Sequence, residues 1–483
     1  MIIVSVKKKN GLFALLAGLF ILVLFLAFYS ELYWLIAIPF AALFLYAGWQ
    51  NRNTVFFLLL LTLPLSFEYN FSSKLGTDIP DEFLMLLTCF FFFAYWLYTP
   101  QSVSGKAWGH PLFFLLLGML GWMLVAVIFS TDSLVSIKFL LAKAWYVGAF
   151  VLTPLIVFQN KERIMMAAKL IILSMFLVTI IALIRHSNNS FSFASINESV
   201  SPFFRNHVNY SAMLVCIVPV LIAFWKLTKT ATLKWLFAVT IIISLSALFF
   251  SYARGAWLAL ITGVITYWLI EKKVLTFAYV VFIITAIATV FWLKSDDRYL
   301  RYAHDYQTTI FHKNFSEHLA ATYKLKDVST AERFYRWIAG VRMIKDKPLT
   351  GYGPNTFYDN YKPYAVPAYK TWVSDNKEHS TIHNYFLLTV IEQGYPGLVF
   401  LVLLLGAMLY YAQYLFHRIK DEFYRTTALT TGVIIVMIIT VNLLSDLVET
   451  DKIGSLFFLC LSILIMTDIN TRSDSSPDIQ GIS

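Results

Sequence analysis

Charged residues are scarce in this chain. Only 14% of its 483 residues are Asp, Glu, Lys or Arg, whereas 59% are hydrophobic and 17% are aromatic. Soluble proteins carry nearer a quarter charged residues, so this composition excludes a soluble enzyme. Apolar runs of about 17–22 residues recur along the sequence, and each is long enough to cross roughly 30 Å of hydrocarbon as a helix. The composition therefore predicts an all-α, polytopic membrane protein.

Cysteine and the common cofactor motifs are also scarce. The three cysteines, Cys89, Cys216 and Cys460, lie in separate apolar runs, and no CxxC spacing occurs. This excludes a redox pair and a cysteine-based zinc site. Neither a Walker pattern nor GxGxxG is present, so no nucleotide site and no cofactor are predicted. The net charge of +10 is attributed to basic residues on cytoplasmic turns, and nucleic-acid binding is not expected.

The apolar runs predict about twelve to fourteen transmembrane helices. Basic residues between the runs recur on one side of the membrane, and both termini fall on that side, which is therefore predicted to be cytoplasmic. Four regions are predicted along the chain: helices in 1–293, a loop region in 294–382, helices in 383–470 and a disordered tail in 471–483. The predicted spans are 11–29, 31–49, 54–66, 82–98, 110–130, 142–158, 163–184, 208–225, 232–250, 255–270, 274–293, 395–416, 426–444 and 453–468.

The loop region 294–382 is too long to be a structureless connection in a compact protein, so we expect it to be functional. A helix is predicted from Thr330, an N-cap candidate followed by an acidic residue, and Pro348 ends it. The tract 357–374 is rich in Tyr and Trp, which suits either stacking on sugar rings or anchoring in the headgroup layer.

Arginines at the ends of apolar runs are the first site candidates, because charge at the edge of a membrane span is expensive. Arg254, in Ser251–Trp257, can hold a lipid-linked phosphate through its planar guanidinium, or it can simply extend toward the interface. Arg205 precedes another span on the same side and has the same two interpretations. Arg333 and Arg336 lie one helical turn apart, where they can bind one anion or form a solvated helix face.

His383 and Asn384 are the second set of candidates, because they lie where the polar loop region meets an apolar run. An imidazole with a pKa of about 6.5 can take a proton from a sugar hydroxyl near neutral pH. An interface histidine that only hydrogen bonds is equally consistent with the sequence. His379 lies four residues earlier, but HSTIH lacks the glutamate of a helical zinc pair and no third ligand is evident nearby, so no metal is expected.

Taken together and in this order, these motifs resemble the O-antigen ligase family, which shares a membrane domain with O-antigen polymerases and bacterial protein O-oligosaccharyltransferases. Four residues carry the resemblance to the family signature: His383, Asn384, Gly394 and Gly397. Ser251–Trp257 is similar to the Arg-Gly segment of the family, and the stretch from Arg333 to Pro354 is similar to the segment before the family histidine.

The resemblance implies a GT-C-like helical fold and an inverting, metal-independent glycosyltransferase of the bacterial inner membrane, with a periplasmic active site. The donor would be a glycan on undecaprenyl pyrophosphate. By this resemblance His383 is the base or positions the acceptor hydroxyl, and Arg254 and Arg333 bind the pyrophosphate. Arg205 lies close to the place of a further ligase arginine. The residues expected to support the site are Asn384, Arg336, Gly394 and Gly397.

Three acceptors stay open within this enzyme class: lipid A core, the growing glycan, and a Ser or Thr of an exported protein. Ligation to lipid A core is favoured among them. A transporter of lipid-linked glycan and a structural membrane anchor are the alternatives outside the class. Transporters tend to have paired halves and charges at the bilayer midplane, whereas this sequence shows no internal repeat and its polar residues gather at one surface.

Overall fold

The computed structural model describes residues 46, 48–72, 75–295, 298, 328–365 and 381–473. The predicted span 11–29, most of the span 31–49, and residues 474–483 of the predicted tail lie outside the described residues. By internal contacts the chain divides into two compact units, Met1–Leu58 and Leu59–Ser483. The four-region division predicted from the sequence therefore stays a prediction.

Helices dominate the described residues, which confirms the all-α prediction. They are α1 (Arg52–Thr62), α2 (Asp81–Tyr98), α3 (Gly105–Trp108), α4 (Pro111–Ile128), α5 (Ser133–Val147), α6 (Thr153–Val157), α7 (Lys161–Asn188), α8 (Ile196–Val200), α9 (His207–Leu227), α10 (Ala231–Phe250), α11 (Arg254–Glu271), α12 (Leu275–Lys294), α13 (Val328–Asp346), α14 (Phe357–Asn360), α15 (Tyr385–Arg418), α16 (Glu422–Asn442) and α17 (Asp451–Ser473). A π-helical turn, Gly148–Leu152, joins α5 to α6.

Ten helices in the described part of the chain are long and apolar enough to cross a membrane, which confirms a multi-pass membrane protein. They are α2, α4, α5 together with α6, α7, α9, α10, α12, α15, α16 and α17. The total of twelve to fourteen includes spans outside the described residues and stays a prediction.

Two helices begin much earlier than their apolar runs predicted, by nine and ten residues. The run at 142–158 belongs to a helix that starts at Ser133, because the Asp132 carboxylate caps it by accepting from Leu134 N and Val135 N at 3.1 Å. The run at 395–416 belongs to α15, which starts at Tyr385. In both cases a polar side chain caps the helix before its apolar part begins.

A β-hairpin occupies the segment before α2, which lies between the predicted spans 54–66 and 82–98. Strand β1 (Phe67–Ser72) pairs antiparallel with β2 (Leu75–Ile79), and Phe67 lies opposite Ile79. The alternation of aromatic and polar residues in β1 is the period-two pattern of a strand. The pattern is too short to be distinguished from a loop by sequence alone.

Several connections meet at one end of the helices, which we call the His383 end. Thr131 N donates to Tyr352 O at 2.8 Å, and Tyr385 N donates to Ser445 O at 2.9 Å. The hydroxyl of Tyr252 donates to the backbone oxygen of Phe191 at 2.6 Å. The connections that gather here are 129–132, 189–206, 251–253, 347–356, 381–384 and 443–450.

Residues 328–365 and 381–391 form a small apolar core above the first turns of α15. Its buried members are Ala339, Met343, Tyr352, Phe357, Tyr361, Ile382, Leu388 and Ile391. Helix α13 is amphipathic and buries one face in this core. The predicted helix in the loop region is thus present, and it packs on α15 beside His383.

Candidate functional site

His383 lies in a strained turn immediately before α15. Its φ is +55°, which is rare for a residue with a side chain. The turn is held on both sides: Ile382 is completely buried, and His383 N donates to Thr381 Oγ1 at 3.4 Å. The imidazole itself is 35% exposed. The turn therefore fixes the backbone while leaving the ring accessible.

Asn384 ties this turn to two helices. Its Oδ1 accepts from Leu387 N at 2.9 Å and so caps α15, while its Nδ2 donates to Leu443 O at 3.0 Å. An N-cap side chain that also reaches another connection fixes both the start of its helix and the position of that connection. The structure thus gives Asn384 a structural role beside the histidine.

Asp446 faces the imidazole, and the sequence analysis did not identify it. His383 Nδ1 lies 3.8 Å from Asp446 Oδ1, and Thr381 Oγ1 donates to the other carboxylate oxygen. Asp446 is only 15% exposed. This distance is longer than a hydrogen bond, but the carboxylate lies on the Nδ1 side of the ring, so Nε2 is the nitrogen left for a substrate proton. The only signal in the sequence was an acidic residue in the short connection between two spans.

Helix α13 donates two side-chain hydrogen bonds to the backbone of the His383 turn. Arg336 is 2% exposed, and its guanidinium donates to Thr381 O at 2.6 Å. Trp337 Nε1 donates to Ile382 O at 3.1 Å. Arg336 is therefore a buried supporting residue in this structure. Arg333 is half-buried and lies four residues before Trp337, which places it one turn away on the same helix face.

Arg254 is the first residue of α11 and follows a tight turn. Tyr252 has a φ of +57°, and Ser251 Oγ donates to Leu248 O at 2.7 Å. The guanidinium is half-buried. Arg254 is at the N-terminus of a helix, where the helix dipole also favours an anion.

Arg254 and His383 lie at the same end of the helices. Helices α11 and α16 are antiparallel, because Thr262 lies 2.9 Å from Thr440 through their hydroxyls while Ile270 packs at Gly432. Arg254 is eight residues before Thr262, or about 12 Å along the axis. Going from Thr262 to Arg254 along α11 therefore runs beyond the end of α16 at Asn442, toward the connection that carries Asp446. His383, the predicted base, and Arg254, the predicted phosphate ligand, are therefore both at the His383 end.

Arg205 has a different environment from the other candidates. Its Nε and Nη2 donate to Glu68 Oε2 at 3.1 and 2.8 Å, and its side chain is 64% exposed. Its neighbour Asn206 caps α9, and His207 contacts Asn197 Oδ1 through its ring Nδ1 at 2.7 Å. The polar cluster around Arg205 is thus engaged in helix capping and in an ion pair with the hairpin.

Gly394 marks a break inside α15. Its φ and ψ are +69° and −177°, a combination that is essentially restricted to glycine. The break exposes backbone groups that the loop before α14 satisfies. Tyr352 N donates to Ile391 O and Gly353 N to Glu392 O, both at 2.9 Å, and Tyr395 N donates to Pro348 O at 2.8 Å.

The glycines at this joint permit close contact between backbones. A Cβ on Gly394 would lie 1.9 Å from Leu349 O, and a Cβ on Gly351, whose φ is +68°, would lie 2.4 Å from the carbonyl carbon of Glu392. At Gly397 a Cβ would lie 2.5 Å from Gln393 Cβ. Gly394 and the Pro-Leu-Thr-Gly-Tyr-Gly-Pro stretch are thus two sides of one joint.

Part of the chain matches a known protein family. Residues 239–402 match the family described as O-Antigen ligase. This stretch is similar to the O-antigen ligase family. It begins in α10 and contains Arg254, Arg333 and His383, together with the joint at Gly394, whereas Arg205 lies before it.

One curated relative of this domain is the O-antigen ligase of Salmonella typhimurium strain LT2, which is 30% identical over 218 residues. The alignment covers 44% of this chain and 49% of that protein. The chain thus spans about half the length of the curated relative that it matches. The family resemblance drawn from the motifs is confirmed for this domain, while the roles of its individual side chains stay predictions.

Proposed function

We propose that this chain is an inverting, metal-independent glycosyltransferase. It moves a glycan from undecaprenyl pyrophosphate to an acceptor hydroxyl, and lipid A core is the favoured acceptor. We further propose that it lies in the bacterial inner membrane with both termini in the cytoplasm and the His383 end in the periplasm. The observation that carries the proposal is the accessible imidazole of His383, which faces the Asp446 carboxylate at 3.8 Å and lies inside the stretch that matches the O-antigen ligase family.

The proposed reaction is a single displacement. Nε2 of His383 takes the proton of the acceptor hydroxyl, and the hydroxyl oxygen attacks the anomeric carbon of the donor sugar. The bond from that carbon to the pyrophosphate oxygen breaks, and the pyrophosphate leaves with the electron pair. Attack opposite to the leaving group inverts the anomeric centre. General-base help of this kind contributes about 10²–10⁴ in rate.

The arginines supply the second part of the proposed mechanism. A polyprenyl carrier lies in the bilayer, so its pyrophosphate lies at headgroup depth near the ends of the helices. Arg254 begins α11 at the His383 end, and Arg333 lies on the α13 face that contacts the His383 turn. Guanidinium groups bind phosphate oxygens through two donors, and they stabilise the negative charge that develops on the leaving group.

Transfer by purified protein in vesicles tests the proposal. A polyprenyl-pyrophosphate glycan is the donor, and lipid A core, free glycan and an exported protein are offered separately. We expect transfer to lipid A core by the wild type. The His383→Ala variant should lose transfer while keeping its melting temperature. Full product from that variant would refute the assignment, and transfer only to glycan or protein would identify a polymerase or a protein transferase instead.

A further inference from the structure

Lys143 is a buried cation in a membrane helix, and the mechanism above does not use it. It is 6% exposed in α5. A lysine charge inside a span is costly unless a counter-charge accompanies it. Lys143 Nζ lies 2.7 Å from Glu449 Oε2 and donates to Val448 O at 3.4 Å. Its partners are therefore both in the connection between α16 and α17.

This connection, residues 443–450, carries Asp446. On one side it is bound by α15, because Asn384 Nδ2 donates to Leu443 O and Tyr385 N donates to Ser445 O. On the other side it is bound by Lys143. Irregular backbone at the end of membrane helices must have its polar groups satisfied by the protein. The position of Asp446 therefore depends on anchors on both sides.

The end of the connection is fixed by a second lysine. Lys452 Nζ donates to Ser66 O at 3.0 Å and to Phe203 O at 2.6 Å, and it lies 3.6 Å from Asp451. Lys452 thus fixes the start of α17 against the hairpin and the 189–206 connection. Lys143 is closer to the site, because Glu449 is only three residues from Asp446.

We propose that Lys143 is a positioning residue for the His383–Asp446 pair and acts through Glu449 and Val448. The proposal rests on the transferase function proposed above. Without the ammonium group, the Glu449 carboxylate, whose side chain is only 18% exposed, has lost its counter-charge and must move toward water or take up a proton. Either change releases the Leu447–Glu449 turn, and Asp446 moves with it.

A charge-neutral pair separates this role from a loss of folding. Lys143→Met and Glu449→Gln each leave one buried charge without its counter-charge, whereas the double variant removes both charges and retains similar side-chain volumes. We expect each single variant to lower kcat about tenfold to a hundredfold with little change in the donor KM. The double variant should recover most of the lost kcat. Lys138→Met, at an exposed position of the same helix, is the control and should match the wild type.

A second measurement is independent of activity. Hydrogen exchange of the full chain in nanodiscs should become faster in 443–450 for Lys143→Met and return toward the wild-type rate in the double variant. Unchanged exchange and unchanged kcat in both single variants, with transfer still lost in His383→Ala, would overturn the role of Lys143 alone. Equal activity in the wild type and His383→Ala would instead refute the proposed function, and the exchange data would still decide whether Lys143 anchors the connection.

Discussion

The joint at Gly394 gives a prediction whose size follows from the geometry. In Gly394→Ala the residue must hold a backbone conformation that costs about 1–3 kcal/mol for anything but glycine. Its Cβ would also lie 1.9 Å from Leu349 O, so the loop at 348–349 has to move away. The hydrogen bond from Tyr395 N to Pro348 O is then lost, at about 1 kcal/mol.

The total local destabilisation is therefore about 2–4 kcal/mol, which corresponds to an increase in opening of the joint of about thirtyfold to several hundredfold. Hydrogen exchange is the direct assay, because the amides of Tyr352, Gly353 and Tyr395 all donate across the joint. We expect these amides to exchange about thirtyfold to several hundredfold faster in Gly394→Ala. The transfer rate should fall as well, since the small core above α15 carries Trp337, which contacts the His383 turn.

Gly121→Ala is the matched control. Gly121 lies in α4, and a Cβ at this position would meet no atom within 4 Å. Alanine is favoured over glycine in a helix interior by about 1 kcal/mol, so this variant should be as stable as the wild type or slightly more so. The reasoning would be refuted if Gly394→Ala showed wild-type exchange at the joint, or if Gly121→Ala opened it equally.

Three further predictions concern charges at the His383 end. Asp446→Asn should lower kcat about tenfold to a hundredfold with little effect on donor KM, and initial rates that match the wild type would exclude a role in orienting His383. Arg205→Gln should change the donor KM less than threefold, because the guanidinium is directed at Glu68 and Arg205 lies before the matched stretch 239–402. A tenfold rise would place Arg205 in the pyrophosphate site. Burial and the nearby Asp451 raise the pKa of Asp78 from 3.8 to about 7. The folded protein thus retains a proton that the unfolded chain loses, so this contribution to stability is complete below pH 3.8 and is lost as the pH rises through 7. Melting temperatures at pH 5 and pH 8 should differ less in Asp78→Asn than in the wild type.

The membrane helices could be predicted because hydrocarbon thickness sets the length of each apolar run. The start of α15 could not be predicted in this way. Glu392 and Gln393 interrupt the apolar run that follows Asn384, and the predicted span began only at residue 395. In the fold Glu392 is 5% exposed and its carboxylate accepts from Phe357 N at 3.2 Å. Phe357, thirty-five positions away, thus satisfies the buried carboxylate, so the helix can include Glu392.

In the candidate site, too, residues marked by their local sequence could be predicted, whereas residues brought together by packing could not. His383 was identifiable because a polar-to-apolar boundary is visible in a short window of sequence. Asp446 was not, because it contacts His383 only through the packing of α16 against α15. The hairpin partner of Arg205 was missed for the same reason, since Glu68 belongs to a strand pair that local periodicity did not resolve. Ion pairs between distant connections are set by packing, which a single sequence does not display.

The His383 turn is held in a strained backbone conformation, and this strain lowers the stability of the fold. A φ of +55° disfavours any residue with a Cβ by about 1 kcal/mol or more, yet a histidine occupies it. Bonds from α13 to Thr381 and Ile382, and from Asn384 to the 443–450 connection, hold the turn in this conformation. Glycine would relieve the strain, so His383→Gly should retain or raise the melting temperature while abolishing transfer. A variant that lost both together would mean that the imidazole maintains the turn, and the stability of the site could then no longer be separated from its chemistry.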